Sequence, residues 1–178
     1  MTAYIALLYS VVLGPGRRVV MADLRAMAAD LGLQEPRTLV ATGNLLFSAE
    51  GTTPAGLEAR LEPAFERSFG RHVDIIVRRA AGWRKLVAGN PFPDESRSEA
   101  RFVNVRVMRD PLGPDAVERL APYAVGGERL QVVDGDLWIY FAHGVGQSKL
   151  AAAMTPKRLG VGTSRNWNTV RRLGEMLG

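Results

Sequence analysis

The chain has 178 residues, of which 47% are hydrophobic and 23% are charged. Such a chain can bury a core without cross-links, and this composition excludes an intrinsically disordered protein. It has no cysteine, which excludes disulfides, thiolate catalysis and cysteine metal sites. The apolar stretch 4–13 is too short to span a bilayer and lacks the basic flank of a signal peptide. We therefore expect a cytoplasmic protein with no membrane partner.

The net charge of +5 is confined to the end of the sequence. Residues 147–178 contain six basic residues and one acidic residue, whereas the preceding 146 residues contain 17 of each. A local positive excess can attract phosphates or acidic partners through its summed field. A solvated helix surface is the alternative interpretation.

The first half of the chain predicts the element order strand, helix, strand, strand, helix, strand. The first helix is indicated by apolar residues at helical spacing, and the second by a capping threonine before a proline at its start. Thr42-Gly43-Asn44 can form the tight connection of a hairpin. In chain order we predict a strand at 2–9, a helix at 21–31, strands at 38–41 and 45–48, a helix from 54 to 69 and a strand at 72–78.

The second half predicts nearly the same order. A short helical stretch around 83–87 and an irregular segment at 90–98 precede it. We then predict a strand at 102–107, a helix at 114–120, a hairpin of strands 129–133 and 137–141, a helix from about Ser148 and a final helix over 166–177. No fourth strand is predicted, and Pro156 is expected to interrupt or restart a helix.

The predicted fold class is α+β, with two ferredoxin-like βαββα half-domains packed together and an extra helix at the end of the second. The predicted boundaries are a βαββαβ half at 1–79, a helix and linker at 80–98, and a βαββα half with its terminal helix at 99–178. The repeat lies in the order of elements and not in the letters, so we interpret it as a structural duplication.

Several segments resemble the DUF1697 family, a set of small bacterial proteins of unknown function. The most specific match is the run Arg165-Asn166-Trp167-Asn168-Thr169-Val170. The supporting matches, in the family's order, are Thr42-Gly43-Asn44 with Phe47, Asn90-Pro91-Phe92, Gly144-Val145-Gly146 and Ser148-Lys149-Leu150. The resemblance implies a two-part α+β fold and no established activity.

One loop departs from the family's usual pattern. Relatives typically have an arginine-glycine stretch, with an asparagine before paired glycines, after the first strand. Here these positions are Tyr9, Ser10 and Val12, followed by Gly14-Pro15-Gly16. A function that this loop performs in relatives is therefore expected to be altered or lost in this chain.

We predict no metal site, no cofactor and no catalytic residues. The two histidines, His72 and His143, are not followed by a carboxylate or histidine at the spacing of the usual metal motifs. Ser148 and Lys149 are in the wrong order for a phosphate-binding Walker loop. As neighbours on a helix, they also do not face each other as a Ser-Lys nucleophile pair must.

The candidate ligand-binding residues lie mainly near the carboxyl terminus. Ser148 and Lys149 could hold an anion at a helix start, or Ser148 could simply cap that helix. Thr163 and Ser164 are predicted to cap the final helix, with Arg165, Asn168 and Arg172 on one exposed stripe. Asn166 and Trp167 complete the candidate segment, although Trp167 could instead fill the core. Arg17 is a further candidate, in the loop after the first strand.

Three functions are compatible with these residues. The leading hypothesis is a binding module whose basic carboxyl-terminal surface recognises a nucleic acid or a phosphorylated metabolite. The alternative is an enzyme acting on a small anionic substrate between the halves, using Ser148, Lys149, His143 and Arg165. The third is a homodimer formed through exposed sheet edges.

Overall fold

The computed structural model describes residues 1–178 and divides into two compact units, residues 1–84 with 176–178 and residues 85–175. Each unit contains a four-stranded antiparallel sheet together with helices, so the predicted α+β class is confirmed. None of the helices is long and apolar enough to cross a lipid bilayer.

The first unit has the strand order β4-β5-β1-β6 in its sheet, and β2 and β3 form a small separate ribbon. Its elements are β1 (Thr2–Leu8), β2 (Val12–Gly14), β3 (Arg17–Arg18), α1 (Met21–Asp30), β4 (Gln34–Thr38), β5 (Asn44–Ala49), α2 (Pro54–Phe69) and β6 (Ile75–Arg79), followed by α3 (Ala80–Ala88).

The core of the first unit follows from strand alternation and the apolar stripe of α2. Tyr4, Ala6 and Leu8 lie on one face of β1. They share a buried cluster with Leu57 and Leu61 of α2, which are one helical turn apart. The alternating residues of β1 therefore anchor the second helix against the sheet.

Helix α2 begins and ends where the sequence predicts. The Thr53 hydroxyl accepts a hydrogen bond from the Gly56 amide at 3.0 Å, and Pro54 occupies the first turn. Gly70 ends the helix in the left-handed conformation, with φ of 76°. Both ends carry strong local signals, because a capping hydroxyl and a terminal glycine satisfy backbone groups that the helix leaves unpaired.

The first predicted hairpin strand, 38–41, is wrong. The strand β4 ends at Thr38, and Val40–Thr42 forms a single 3-10 turn. Val40 has a φ of 48° and Gly43 a φ of 88°, which an extended strand does not contain. A Cβ on Gly43 would lie 2.8 Å from Leu8 Cβ, so only glycine fits the close approach to β1.

The second unit has the strand order β10-β7-β9-β8. Its elements are α4 (Pro93–Ser98), β7 (Val103–Met108), α5 (Ala116–Leu120), β8 (Arg129–Val133), β9 (Asp136–Tyr140), α6 (Lys149–Ala153), α7 (Pro156–Leu159), β10 (Gly162–Asn166) and α8 (Trp167–Met176). The predicted β8–β9 hairpin is confirmed, and it turns through Asp134 and Gly135, which both have positive φ.

The prediction that the second half lacks a fourth strand is wrong. Residues Gly162–Asn166 form β10, which pairs antiparallel with β7, so Thr163 and Ser164 are strand residues and do not cap a helix. The segment reads Gly-Thr-Ser-Arg-Asn and has no apolar run, which is why its sequence does not indicate a strand. The segment predicted as irregular, 90–98, also contains the short helix α4, which begins at Pro93.

Candidate functional site

One end of the second sheet brings together two of the segments that resemble the DUF1697 family, 144–146 and 165–170. Strand β7 runs antiparallel to β9 and β10, so its start lies beside the ends of both, with Val103 opposite Tyr140 and Asn104 opposite Asn166. The loop after β9 follows there, and a Cβ on Gly144 would lie 3.5 Å from the Phe102 ring. We refer to residues 98–104, 140–148 and 166–169 as the polar end of the second sheet.

A pocket with a volume of about 390 Å³ opens at the polar end. This volume lies within the range of about 300–1,000 Å³ that is usual for small-molecule sites. The lining residues are Ser98, Glu99, Ala100, Arg101, Phe102 and Asn168. The polar end therefore offers a cavity of suitable size for a metabolite.

Arg101 is the unpaired cation of this pocket. Its side chain is exposed and makes no ion pair with a carboxylate. The guanidinium carbon lies 4.6 Å from the centroid of the Phe102 ring. Stacking on an aromatic face restrains a guanidinium while leaving its N–H groups available for a phosphate or carboxylate.

The acidic groups beside the pocket are already engaged. The Tyr140 hydroxyl donates a hydrogen bond to Glu99 Oε2, and this bond is the main reason that the pKa of Tyr140 is raised, with burial and the Glu99 charge adding to it. Arg129 pairs with Glu95, and its hydrogen bond to that carboxylate lowers the pKa of Glu95. The Arg129 guanidinium also lies 5.1 Å from the Tyr140 ring centroid. Only Glu99 brings negative charge to the pocket lining, and it does so with one oxygen bound to Tyr140.

Asn104 adds an unsatisfied donor at the same end of the sheet. Its side chain is buried, and its Nδ2 has no hydrogen-bond partner within the protein. Its register partner Asn166 lies on the same face of the sheet. A buried amide donor that stays unpaired reduces stability, so a bound water or ligand that accepts from it would be favoured.

Arg165 is buried, so its place in the predicted exposed stripe is wrong, whereas Asn168 and Arg172 are exposed one turn apart on α8. Its side chain is 9% exposed, and Nη1 donates to Thr163 Oγ1 and to the Ser164 carbonyl, both at 2.8 Å. Burial lowers the pKa of Arg165 to about 10, which still leaves it charged at neutral pH. The error follows from the unpredicted strand, because strand alternation places Arg165 on the same buried face as Thr163.

In the rest of the Arg165–Val170 segment, some residues support the fold and others lie at the surface. Asn166 caps α8, because its Oδ1 accepts a hydrogen bond from the Thr169 amide at 3.1 Å. Trp167 is half-buried, with its ring centroid 6.1 Å from that of Trp138. Asn168 is exposed and lines the pocket. Asn168 is therefore the predicted residue that the structure brings to Arg101.

Ser148 has the geometry of a helix cap. Its hydroxyl accepts a hydrogen bond from the Ala151 amide at 3.2 Å and donates to Glu128 Oε1 at 2.8 Å. Burial would raise the pKa of Glu128, but hydrogen bonds from Ser148 and from backbone amides, with the charge of His143, lower it overall. Lys149 is exposed beside this cap, and α6 spans only five residues. The Ser148 hydroxyl thus faces a carboxylate and an amide, and no lysine.

Arg17 lies in β3 of the first unit, whereas the other predicted ligand-binding residues belong to the second unit. It is exposed. Arg17 is not among the residues that line the pocket at the polar end.

Sequence reasoning missed Glu99, Arg101 and Phe102. They lie in the segment 98–102 between α4 and β7, which has no recognisable motif. The available signal was an arginine directly before an aromatic residue at the start of a strand, and this is too common to indicate a site.

Comparison with known proteins supports the resemblance seen in the sequence. A family model described as "Protein of unknown function (DUF1697)" matches residues 1–138. The conserved bacterial protein SP0830 from Streptococcus pneumoniae has a similar solved structure, with a TM-score of 0.76 and 21% sequence identity over 99% of each chain. No curated protein matches the chain. These matches establish family and fold, and neither description names an activity.

Proposed function

Because the chain belongs to the DUF1697 family of proteins of unknown function, we propose from its geometry that it is a binding module for a small anionic metabolite. The ligand would lie in the pocket at the polar end of the second sheet, with its anionic group on Arg101. The observation that carries the proposal is the unpaired Arg101 guanidinium, held on Phe102 in the same cavity as Asn168.

The pocket also favours a ligand that donates hydrogen bonds. Glu99 lines it, and its Oε2 accepts from Tyr140, so a ligand hydroxyl or amino group would find an acceptor at Oε1. The Asn168 amide can both donate and accept. A phosphorylated or carboxylated metabolite with a hydroxyl group satisfies all three side chains. A nucleic acid is less well suited, since Glu99 would repel a continuous phosphate backbone.

The alternative of an enzyme has less support. The Ser148 hydroxyl is committed to Glu128 and to the Ala151 amide, and Arg165 is buried. A nucleophile needs a base that can take its proton and room for a substrate. Neither Ser148 nor Arg165 lines the pocket that contains Arg101.

We further propose that the two units are copies of one ferredoxin-like βαββαβ unit. Numbering the main strands one to four within each unit, both sheets have the order 2-3-1-4 or its reverse, and all neighbours are antiparallel. Strand β10 supports this proposal because it occupies in the second unit the position of β6 in the first.

A titration monitored by backbone ¹H–¹⁵N NMR tests the proposed binding. Inorganic phosphate and a nucleoside monophosphate serve as probes. We expect saturable shifts at residues 98–102 and 166–169, with the nucleotide binding more tightly because it also supplies hydrogen-bond donors. Arg101→Ala should weaken binding of the nucleotide at least about tenfold, the loss expected for a charge-assisted hydrogen bond.

Arg97→Ala is the matched control. Arg97 is an exposed arginine four residues earlier, in α4, but it pairs with Asp94 and does not line the pocket. Its replacement should leave the affinity unchanged. Shifts outside the polar end, or equal losses in the Arg97 and Arg101 variants, would show that the pocket is not the binding site. Tighter binding of a single-stranded oligonucleotide than of the monophosphate would indicate a nucleic-acid surface instead.

A further inference from the structure

The first unit brings three potential metal ligands together at the end of α2 and the start of β6. His72 Nε2 lies 3.2 Å from Asp74 Oδ1 and 3.8 Å from Glu62 Oε2. The ligand atoms of the three residues all lie within 4.8 Å of one another. Glu62 comes from α2, whereas His72 and Asp74 lie in the segment that leads into β6, so the cluster exists only in the folded chain.

These separations fit ligands around one small cation. Bonds of about 2.0–2.1 Å to nitrogen and oxygen place neighbouring ligand atoms about 2.8–3.4 Å apart in octahedral or tetrahedral geometry. The His72–Asp74 distance lies in this range, and small side-chain rotations of the exposed His72 would bring Glu62 into it. The prediction of no metal site rested on the spacing of ligands near each histidine along the chain. Glu62 is ten residues before His72, and only the fold brings it close.

One of the three side chains is oriented by a backbone amide, and the backbone of a second residue is tied to the end of β1. Glu62 Oε1 accepts a hydrogen bond from the Ile75 amide at 3.3 Å, which orients the carboxylate with Oε2 on the side of His72. The Asp74 carbonyl accepts from the Tyr9 amide at 2.9 Å and ties its segment to the residue after β1. Groups that orient a ligand raise metal affinity, because less freedom is lost when the ion binds.

We propose that Glu62, His72 and Asp74 form a binding site for a divalent transition-metal ion such as Zn²⁺. One imidazole nitrogen and two carboxylate oxygens are a donor set for ions such as Zn²⁺, Ni²⁺ or Mn²⁺, whereas Mg²⁺ and Ca²⁺ prefer oxygen alone. Half of the His72 side chain is exposed, so solvent can reach the ion and complete its coordination.

The untagged chain offers a direct test, because it has only two histidines and no cysteine. Zn²⁺ is titrated into ¹⁵N-labelled protein while the imidazole resonances are recorded. We expect the His72 resonances to shift and to saturate at one equivalent of Zn²⁺, and the His143 resonances to stay in place. A His72 signal unchanged by Zn²⁺, or an equal response to Mg²⁺, would overturn the proposal.

Substitutions in the cluster separate coordination from incidental binding. Glu62→Gln keeps an acceptor for the Ile75 amide, and Asp74→Asn keeps the size of the side chain. Each should weaken Zn²⁺ binding at least about tenfold by calorimetry, since loss of a direct ligand costs no less than loss of an outer partner. Glu66→Gln, one turn further along α2, is the matched control and should bind as the wild type does. Equal affinities of the Glu62 and Glu66 variants would disprove the site.

Discussion

At the scale of single residues, the segment Arg165–Val170 shows how one motif serves several purposes. Arg165 is buried and bonded to Thr163, Asn166 caps α8, and Asn168 reaches the pocket. Arg165 is the arginine of this segment, yet the arginine that we propose as the anion-binding residue is the exposed Arg101. The residue types indicated a candidate binding segment. Burial then separates Arg165, which a ligand cannot reach, from Asn168, which is exposed.

Replacement of Arg165 should reduce stability. In Arg165→Ala, Thr163 and the Ser164 carbonyl lose hydrogen bonds, and a buried polar group left unpaired costs about 1–3 kcal/mol. Urea unfolding followed by circular dichroism measures this loss. Arg171→Ala, which removes an exposed arginine paired with Glu175, should change the free energy of unfolding by less than about 0.5 kcal/mol. An Arg165 variant of unchanged stability that no longer binds the anion would assign Arg165 to the ligand instead.

At the scale of elements, the short helices of the second unit depend on their caps. Ser148 caps α6 and Thr155 caps α7, because their hydroxyl oxygens accept hydrogen bonds from the Ala151 and Arg158 amides. Ser148 alone also donates to Glu128, which ties the start of α6 to the residue before β8. Caps matter here because helices of four or five residues are not stable by themselves.

This difference predicts a pH-dependent effect of Ser148→Ala. The folded-state pKa of Glu128 is lowered from its ordinary value of 4.5. The ionised carboxylate therefore stabilises the fold above that value, and this stabilisation is lost as the pH falls through the folded pKa. Removal of the Ser148 hydroxyl takes away a hydrogen bond that lowers the pKa of Glu128. The variant should therefore lose more stability at pH 7 than at pH 3.

Thr155→Ala is the control for this pH dependence. Its hydroxyl caps α7 and has no carboxylate partner, so the loss of about 1 kcal/mol expected for a cap should be similar at both pH values. Unfolding in urea at pH 7 and pH 3 compares the two variants. The same pH dependence in both would mean that the Ser148–Glu128 bond does not stabilise the fold.

At the scale of the whole molecule, the positive excess of residues 147–178 does not form one basic group. Arg165 is buried, Arg171 pairs with Glu175, and Arg158 lies on the Tyr123 ring at 4.7 Å. The remaining exposed cations without a partner are Lys149, Lys157 and Arg172, on three different helices. Their joint effect on a ligand would be through the long-range field.

Removing these three cations should therefore weaken the long-range attraction of an anionic ligand but leave its direct contacts in the pocket unchanged. A variant with Lys149, Lys157 and Arg172 all replaced by alanine loses three of the five net positive charges. At low salt we expect its affinity for the nucleotide probe to fall by less than about tenfold. Above about 0.3 M salt, where the field is screened, its affinity should equal that of the wild type. Calorimetry over a salt series measures both affinities. A loss that persists at high salt would place one of these residues in direct contact with the ligand.

Much of the fold could be predicted because its signals are local. Thr53, Pro54 and Gly70 bound α2, and Asp134-Gly135 turns the β8–β9 hairpin, through preferences of a few adjacent residues. The α+β class, the order of most elements and the family resemblance follow from the same kind of signal. The segment at Arg165–Asn168 was also found, although with the wrong local structure.

The sequence by itself thus determined the class, most element boundaries and the charge asymmetry, since these depend on composition and on neighbours along the chain. Only the tertiary structure decided that Gly162–Asn166 is a strand, because its pairing with β7 outweighs a weak local preference. The same pairing buries Arg165 and sets Asn166 beside Asn104. It is also the fold that joins Asn168 to Arg101, and Glu62 to His72. Contacts between residues distant in sequence have no local signature, so sites made from them become visible only when the chain is folded.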